Sequence, residues 1–397
     1  MLTAEENALL TQVGPGTAGG DLLRRYWHPI AAAQEISDER PTKFVRVLGE
    51  DLVIFLDKSG RFGLIADKCA HRSASMVYGR VEERGISCAY HGWLYDCDGR
   101  ILETPPERND AIMKSVTIKA YKVISYIGLI WAYMGPAPVP EFTPYDTLVR
   151  KDGHRKVVVH PVLDCNWLQA MENSMDPAHL QILHQEFYGR GKRQPVSTTR
   201  GYIDDVESFE FYTTEYGLMK KRTYKTGTVD EHPVVFPSIL RQGPSTQFRT
   251  PIDDEHTWHV HVMFRVTEDG SEPKDAFAPP VEYEKPYKTP ADKSHPYAKY
   301  DARSVLSQDH LAWETQGPIA DRSREHLSYS DRGVVLLRRV LKEQIERVQR
   351  GEDPLGVIRD PQLAMIDTNV DEDVWRREYL AVAANTGNKW AQPGSGA

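Results

Sequence analysis

Two cysteines and two histidines stand at short, repeated spacings in the first quarter of the chain. Cys69-x-His71 is followed by sixteen residues and then by Cys88-x₂-His91. Such a set can hold zinc in a tetrahedral site, or a [2Fe–2S] cluster in which two histidines replace two cysteines on one iron. Zinc sites of this composition usually pair like ligands along the chain. Here each pair has one cysteine and one histidine, which favours the cluster because each loop then gives one ligand to each iron.

A second stretch with metal-binding chemistry runs from Asn166 to His184 and reads NWLQAMENSMDPAHLQILH. Two imidazoles and one carboxylate form the facial triad of non-haem Fe(II) oxygenases, and His179 and His184 could supply the imidazoles. Residues five apart do not share a face of an ideal helix. Pro177 interrupts the helix, so we expect Asp176 to cap a second helical piece, Pro177 to begin it and His179 to lie in its first turn. Without the upstream pattern, these histidines would be interpreted as packing residues.

Length and composition are those of an ordinary two-domain protein. The chain has 397 residues, 40% hydrophobic and 27% charged, and a net charge of −8, which does not suggest binding to nucleic acid or anionic membranes. No signal peptide or membrane-spanning apolar run is visible, so we expect a cytoplasmic location. A reducing compartment favours metal binding over disulfides. Cys97 and Cys165 have no companion at ligand spacing and are expected to be buried thiols.

The elements that must position these residues divide the chain into two domains and an extension. A short N-terminal helix precedes strands from residue 43 onward, with hairpin turns at Gly49-Glu50 and Ser59-Gly60. The prolines between residues 136 and 140 close this part, which places a boundary near residue 150. We expect a first domain over 1–150, a catalytic domain over 151–360 and a partly disordered extension over 361–397.

In the second domain the segment 155–167 reads as a strand that leads into the histidine helix, and residues 200–265 read as several strands. His259 and His261 share one face of a strand. They could form a rival metal site, but we expect them to line a pocket or face solvent. Residues 269–302 suggest a surface loop. Residues 333–350 predict an amphipathic helix with stabilising Glu343–Arg347 and Glu346–Arg350 pairs.

Both metal motifs together resemble the oxygenase (alpha) components of Rieske non-haem iron aromatic-ring oxygenases. The Cys-x-His…Cys-x₂-His pattern followed by GWLYDCDGR is similar to their Rieske domain, and the stretch ending in His184 is similar to their mononuclear iron motif. The segments MLTAEENALL, LLRRYWHP and QDHLAWETQGPIADRSREHLSYSD are similar to the phthalate 4,5-dioxygenase and aryl O-demethylase group.

The resemblance implies an α+β fold. An N-terminal all-β Rieske [2Fe–2S] domain would carry Cys69, His71, Cys88 and His91 as cluster ligands. A helix-grip-like (START-type) catalytic domain with an antiparallel sheet would follow, with His179 and His184 on a mononuclear Fe(II). Asp309 matches the position from which this family supplies its third iron ligand, and Glu314 and Asp321 are rivals.

The resemblance also implies a homotrimer in which the cluster of one subunit serves the iron of its neighbour. Asp176 matches the acidic residue that joins a cluster histidine, here His91, to an iron-bound histidine, here His179; a plain helix cap is the alternative role. Such a carboxylate fixes the tautomer of the ring and raises its basicity. We expect Glu172 and Asn173 to support the site through hydrogen bonds without binding metal.

The expected function is that of a terminal oxygenase component. It would use O₂ and electrons from a separate NAD(P)H-dependent flavin or ferredoxin-type reductase, because no dinucleotide-binding loop is visible. It would hydroxylate or O-demethylate an aromatic acid. The alternatives are a Rieske electron-transfer protein with a non-catalytic second domain and a zinc-stabilised binding module.

An aromatic acid calls for a cationic partner to its carboxylate. Lys220, Lys221, Arg222, Arg241 and Arg249 are candidates. The segment 216–219 departs from phthalate-specific relatives, which offer an arginine there, and this disfavours phthalate itself.

Overall fold

The computed structural model describes residues 1–184, 206–227, 229–284 and 304–368. Within these ranges the chain forms three β-sheets, and helices pack against the largest of them. The strands are β1 (Trp27–Ala32), β2 (Thr42–Val47), β3 (Glu50–Leu56), β4 (Phe62–Ala66), β5 (Arg80–Glu82), β6 (Gly85–Ser87), β7 (Leu94–Tyr95), β8 (Ile101–Glu103), β9 (Ala120–Tyr126), β10 (Leu129–Tyr133), β11 (Gly153–Val159), β12 (Val206–Thr213), β13 (Gly217–Tyr224), β14 (Val229–Val235), β15 (Ile239–Gln242), β16 (Ser245–Pro251), β17 (Thr257–Val266) and β18 (Val281–Tyr283). The helices are α1 (Ala4–Thr11), α2 (Ala18–Leu23), α3 (Ala111–Ser115), α4 (Asp146–Val149), α5 (Trp167–Met175), α6 (Ala178–Ile182), α7 (Val305–Glu314) and α8 (Arg332–Gln349).

The N-terminal part is all-β apart from short helices, as predicted. Six antiparallel strands follow the order β1-β10-β9-β4-β3-β2, and a smaller sheet of four strands follows β5-β6-β7-β8. The turn between β2 and β3 places Leu48 at φ 48° and Gly49 at φ 75°, and Gly60 turns β3 into β4 at φ 86°. These left-handed positions favour the glycines found there. The predicted hairpins are therefore confirmed, although Glu50 already belongs to a strand.

The C-terminal part contains an eight-stranded sheet with the order β12-β13-β14-β15-β16-β17-β11-β18. All of its pairs are antiparallel except β11 with β18 at one edge. The prediction of a surface loop over residues 269–302 was wrong at residues 281–283, because these residues pair with β11. The rest of that loop from residue 285 lies outside the described residues. The strands predicted between 200 and 265 are confirmed from residue 206 onward.

Helix α8 covers one side of this sheet and packs against α5. Its predicted apolar stripe is confirmed, since Val334, Leu337, Leu341, Ile345 and Val348 are buried. The predicted Glu343–Arg347 pair was wrong, since within the described ranges Glu343 pairs with Arg339 at 3.5 Å. The pKa of Arg350 is raised first by its hydrogen bond to Glu352 at 2.8 Å and also by the charge of Glu346, which supports the predicted Glu346–Arg350 attraction. Gly351 turns the chain back at φ 79°. Side chains at the C-terminal end of the helix can therefore contact the residues that follow it.

One hydrophobic core joins both halves of the molecule. Leu22 and Ile54 from the first half pack in the same cluster as Trp167 and Leu337. The predicted domain limits at residues 150 and 360 therefore stay predictions. The first residues of the C-terminal extension are held in place, because Thr368 donates to a buried carboxylate, that of Asp146, at 2.5 Å. The tail after residue 368 lies outside the described residues. None of the helices in the described ranges is long and apolar enough to cross a membrane.

Candidate metal centres

The two cysteines of the first motif stand in two turns of the same construction. The N–H of Ser73 donates to the carbonyl of Cys69, and the N–H of Gly92 donates to the carbonyl of Cys88, both at 2.9 Å. Ser73 and Gly92 both have positive φ, 57° and 71°. The thiols are 3% and 2% exposed, and the hydroxyl of Tyr95 lies 3.1 Å from Cys69 Sγ. Burial raises the pKa of the Cys88 thiol, so a metal would have to displace a proton there.

The two histidines of the first motif stand beside each other at the open end of these turns. The rings of His71 and His91 are 4.5 Å apart between centroids, and His71 stacks on Trp93 at 4.6 Å. His71 Nδ1 is buried and has no hydrogen-bond partner among the described residues. Burying an imidazole nitrogen costs free energy of desolvation unless the nitrogen forms a hydrogen bond or binds a metal. The four side chains therefore suit a cluster bound between two thiolates and two imidazoles.

The second motif breaks where the proline was expected to break it. Helix α5 ends before Asp176, whose Oδ1 accepts a hydrogen bond from the N–H of Ala178 at 2.7 Å. Pro177 occupies the N-cap position, so α6 begins one residue later than predicted. His179 lies in the first turn of α6, as predicted, and His184 follows the end of that helix. The break allows two histidines with five-residue spacing to point toward one place.

Helix α7 brings a carboxylate to these two histidines. Asp309 Oδ1 lies 3.1 Å from His184 Nε2 and 3.7 Å from His179 Nε2. Neighbouring donors around a first-row metal are roughly 3–3.5 Å apart when its bonds are near 2.1 Å. The three side chains therefore fit a single ion. His184 Nδ1 also lies 2.8 Å from the side-chain oxygen of Gln308, which fixes the orientation of the ring.

The pKa of His184 reflects these neighbours. Burial lowers it, but Asp309 and Gln308 outweigh the burial and leave the pKa above its ordinary value. The rival carboxylates serve other purposes. Glu314 Oε1 accepts from the N–H of Asp164 at 2.9 Å, and the exposed Asp321 accepts from a neighbouring serine. Within the described ranges, neither belongs to a donor group with the two histidines.

Glu172 holds the helices around this site rather than touching its donors. It accepts two hydrogen bonds from Arg322, each at 2.8 Å, and one from Arg338 at 2.7 Å. The two guanidinium groups are 1% and 6% exposed, so α5, α8 and the chain before α8 are joined by a buried ion-pair network. Glu172 therefore supports the site through hydrogen bonds, although at long range. The carbonyl of Asn173 accepts from the N–H of Asp176 at 3.0 Å.

The five cationic candidates separate into two groups. Arg241 is bound to the buried Asp146 at 2.9 Å, and Lys221 pairs with Glu210 at 3.1 Å on the outer side of β13. Lys220, Arg222 and Arg249 are buried. Burial, followed by the neighbouring Arg222, lowers the pKa of Lys220 to about 7, and Asp176 and Asp309 act in the opposite direction. Lys220 is therefore near the second motif, and no carboxylate of the described residues lies within 4.0 Å of its ammonium group.

Arg249 crosses the same region from β16. Its Nη1 donates to Ser174 at 2.7 Å and its Nη2 donates to Gln247 at 2.8 Å. Burial lowers the pKa of Arg249 to about 9. The guanidinium group also lies over the ring of Trp313, 5.3 Å from its centroid.

A second group of buried histidines lies between β11, β17 and α7. It consists of His160, His259 and His310, which are 6%, 0% and 1% exposed. Of the two expected places for His259, lining a pocket or facing solvent, the solvent-facing one is excluded, because the side chain is buried against His310 and Trp313 of α7. Burial lowers the pKa of His160 to about 4 and that of His259 well below its ordinary value, so both rings are neutral. His261 is half-buried and lies 2.5 Å from the hydroxyl of Ser245.

Four residues that belong to these arrangements were not predicted from the sequence: Gln308, His310, Arg322 and His160. Two of them flank Asp309, and their place beside a candidate ligand was a visible signal. Arg322 lies within the segment QDHLAWETQGPIADRSREHLSYSD, but its partner Glu172 is remote in the sequence. His160 carried no signal, because it meets the other histidines only through the pairing of β11 with β17.

Two protein families match this chain in sequence. The family described as Rieske [2Fe-2S] domain matches residues 26–122, and the family described as LigXa C-terminal domain like matches residues 286–389. The first range includes all four cysteine and histidine residues of the cluster motif, and the second includes Asp309.

Similar proteins are oxygenase subunits. The chain is 38% identical, over 91% of its length and 85% of the relative, to the 5,5'-dehydrodivanillate O-demethylase oxygenase subunit of a Sphingobium species. It is 30% identical, over 96% of its length and 95% of the relative, to the phthalate 4,5-dioxygenase oxygenase subunit of Pseudomonas putida. The fold is similar to the terminal oxygenase of carbazole 1,9a-dioxygenase from Nocardioides aromaticivorans, with a TM-score of 0.61 and 19% identity over 85% of this chain and 98% of that one.

Proposed function

Because the chain belongs to the Rieske-type non-haem iron oxygenases, as an oxygenase component, we propose that it removes the methyl group from a methoxylated aromatic acid. Such components use O₂ and electrons that a separate NAD(P)H-dependent reductase provides. Demethylation is chosen because the identity to an O-demethylase subunit is 38%, against 34% and 30% to two dioxygenase subunits. The reaction consumes the methoxyarene, O₂, two electrons and two protons, and yields the phenol, formaldehyde and water.

The ligand assignment is part of this proposal. Cys69, His71, Cys88 and His91 hold the cluster, and the burial of the two cysteines and the contact between the two histidine rings support that role. His179, His184 and Asp309 hold the mononuclear iron, supported by the separations of their donor atoms. When bound, the cluster supplies single electrons and the iron supplies open coordination positions for oxygen.

The protein's own residues orient these groups and the substrate. Gln308 fixes the ring of His184, and the buried Glu172 network holds α5 in place. Lys220 is placed to bind the carboxylate of an acid substrate, because a buried ammonium group is stabilised by a negative partner. The neighbouring carboxylates of Asp176 and Asp309 would be occupied by the metal site, which leaves Lys220 to the substrate.

The subunit arrangement is also proposed. Asp176 Oδ2 lies 3.5 Å from His179 Nδ1, which supports one half of a bridge between the two centres. The second contact of Asp176 would be with the cluster histidine His91 of a neighbouring copy in a homotrimer. Exposed Tyr90 beside His91 supports a contact surface at that end. The cytoplasmic location stays a prediction.

The test is turnover of the holoenzyme with a compatible reductase, NADH and ¹⁸O₂ on methoxylated benzoates, methoxylated biaryl acids and phthalates. Demethylation predicts formaldehyde in equal amount to a phenolic acid without ¹⁸O, since that oxygen comes from the substrate. A product with two labelled oxygens and no formaldehyde would instead make the protein a ring dioxygenase. Asp309→Ala serves as the inactive control.

The role of Lys220 has its own test. Lys220→Met should raise KM for a carboxylated substrate by more than about 10-fold, since a charge-assisted contact contributes roughly 1.5–3 kcal/mol. Lys221→Met on the outer side of the same strand is the matched control and should leave KM unchanged. Equal effects on the acid and on its methyl ester would argue against a contact with the carboxylate.

A further inference from the structure

The buried histidines His160, His259 and His310 come from three separate elements that meet beside the iron motif. His160 directly follows β11, and its N–H donates to the carbonyl of His259 on β17 at 3.0 Å. The two rings stack with centroids 4.7 Å apart. His310 reaches them from α7, and its Nε2 lies 2.9 Å from His259 Nδ1. Neither the cluster nor the mononuclear iron uses these three side chains.

The nitrogens of this group are spaced as metal ligands are. One nitrogen from each ring lies within 4.8 Å of one nitrogen from each of the others. A tetrahedral ion with bonds of 2.0–2.1 Å holds its nitrogens about 3.3 Å apart. The separation of His259 Nδ1 and His310 Nε2, 2.9 Å, is close to that value.

The hydrogen bonds of the group leave ring nitrogens unused. His160 Nε2 and His259 Nε2 are buried and have no hydrogen-bond partner among the described residues. Buried polar atoms are nearly always paired, so two such atoms in adjoining rings point to a bound species that uses a lone pair. One proton lies between Nδ1 of His259 and Nε2 of His310, and an ion bound by these two nitrogens would displace it.

We propose that His160, His259 and His310 form a second mononuclear metal site, which takes a divalent ion of borderline softness such as Zn²⁺. Three histidines with water in the fourth position are an established set for zinc. The ion joins the end of β11, β17 and α7. Since α7 carries Asp309 next to His310, the ion holds the helix that brings the carboxylate to the iron histidines. This site goes beyond the proposed demethylation and does not depend on it.

The experiment counts metal in the intact holoenzyme after equilibration with Zn²⁺ and removal of free ion. The wild-type protein should contain about four metal atoms per chain, counting iron and zinc together, because the cluster and the mononuclear site take about three. His160→Gln and His259→Gln should each lose one metal atom per chain and keep the cluster absorbance. His154→Gln is the matched control, because His154 lies on β11 with a 59% exposed side chain.

Zinc-edge X-ray absorption of the wild-type protein tests the same site without substitutions, in case the variants fold poorly. Three imidazole nitrogens at 2.0–2.1 Å from zinc would support the proposal. A total of three metals per chain would overturn it, and so would sulfur ligation of the zinc. Variants that change only KM for the substrate, with unaltered metal content, would show that the histidines bind substrate instead, which would also overturn the proposal.

Discussion

The cluster ligands come from two neighbouring turns between residues 69 and 91, whereas the proposed iron ligands come from a broken helix and from a second helix far along the chain. In the first region each turn closes through its own backbone hydrogen bond. In the second region the partners are brought together by packing and by the buried Glu172 ion pairs. Backbone geometry should therefore control the first site and long-range packing the second, so the two sites can be perturbed separately.

Removing the distant ligand should have the largest effect. Asp309→Ala should lose the mononuclear iron and keep the visible absorbance of the cluster. Turnover should fall by more than about 100-fold, which is the upper range for groups that only support a ligand. Iron content and steady-state turnover measure this, with the exposed Asp321→Ala as control. Full iron content in Asp309→Ala would move the third ligand to another residue.

Breaking the ion-pair network should weaken the second region without touching a ligand. Glu172→Gln leaves two buried guanidinium groups with less negative charge, and the free energy of unfolding should fall by roughly 3 kcal/mol. Iron should be released at lower urea concentration than cluster absorbance is lost. Glu343→Gln on the exposed face of α8 is the control, with an expected change below about 0.5 kcal/mol. Simultaneous loss of both centres would contradict the proposed separation of the two regions.

The link between the regions should be sensitive to a single charge. Asp176→Asn keeps the Oδ1 acceptor that α6 needs but removes the negative charge beside His179. Both centres should stay filled, and turnover should fall by about 10–100-fold. Stopped-flow bleaching should show that the reductase still reduces the cluster at the wild-type rate. Activity within a few-fold of wild type would leave Asp176 as a helix cap only.

The smallest effects should come from the turns of the first region. Gly92→Ala places a Cβ on a left-handed residue, which costs about 1–2 kcal/mol. Cluster absorbance should therefore be lost at lower urea concentration, with mononuclear iron unaffected. Ser73→Gly removes the same backbone strain from the other turn. The urea concentration at which half of the cluster absorbance is lost should therefore rise slightly. An equal loss of iron in Gly92→Ala would show that the regions are not independent.

Local patterns in the sequence were enough for much of this protein. The spacing of Cys69, His71, Cys88 and His91 indicated two ligand loops, and Pro177 indicated the helix break that sets His179 in a first turn. Strands with alternating apolar and polar residues and the apolar stripe of α8 were also predicted from the sequence. Each of these depends on residues close in sequence, where turn geometry and helix periodicity act directly. Resemblance to a family added Asp309, which no local pattern could have selected over Glu314 or Asp321.

Tertiary structure decided what depends on distant partners. Only the packing of α7 against α5 turns Asp309 toward His179 and His184 and leaves Glu314 to bind the backbone of Asp164. Only the pairing of β11 with β17 brings His160 to His259 and His310. Tertiary structure also pairs Arg241 with Asp146 and buries Lys220 beside the iron motif. The physical reason is that side-chain proximity between remote segments is fixed by the burial of whole helix and sheet faces, which no short stretch of sequence encodes.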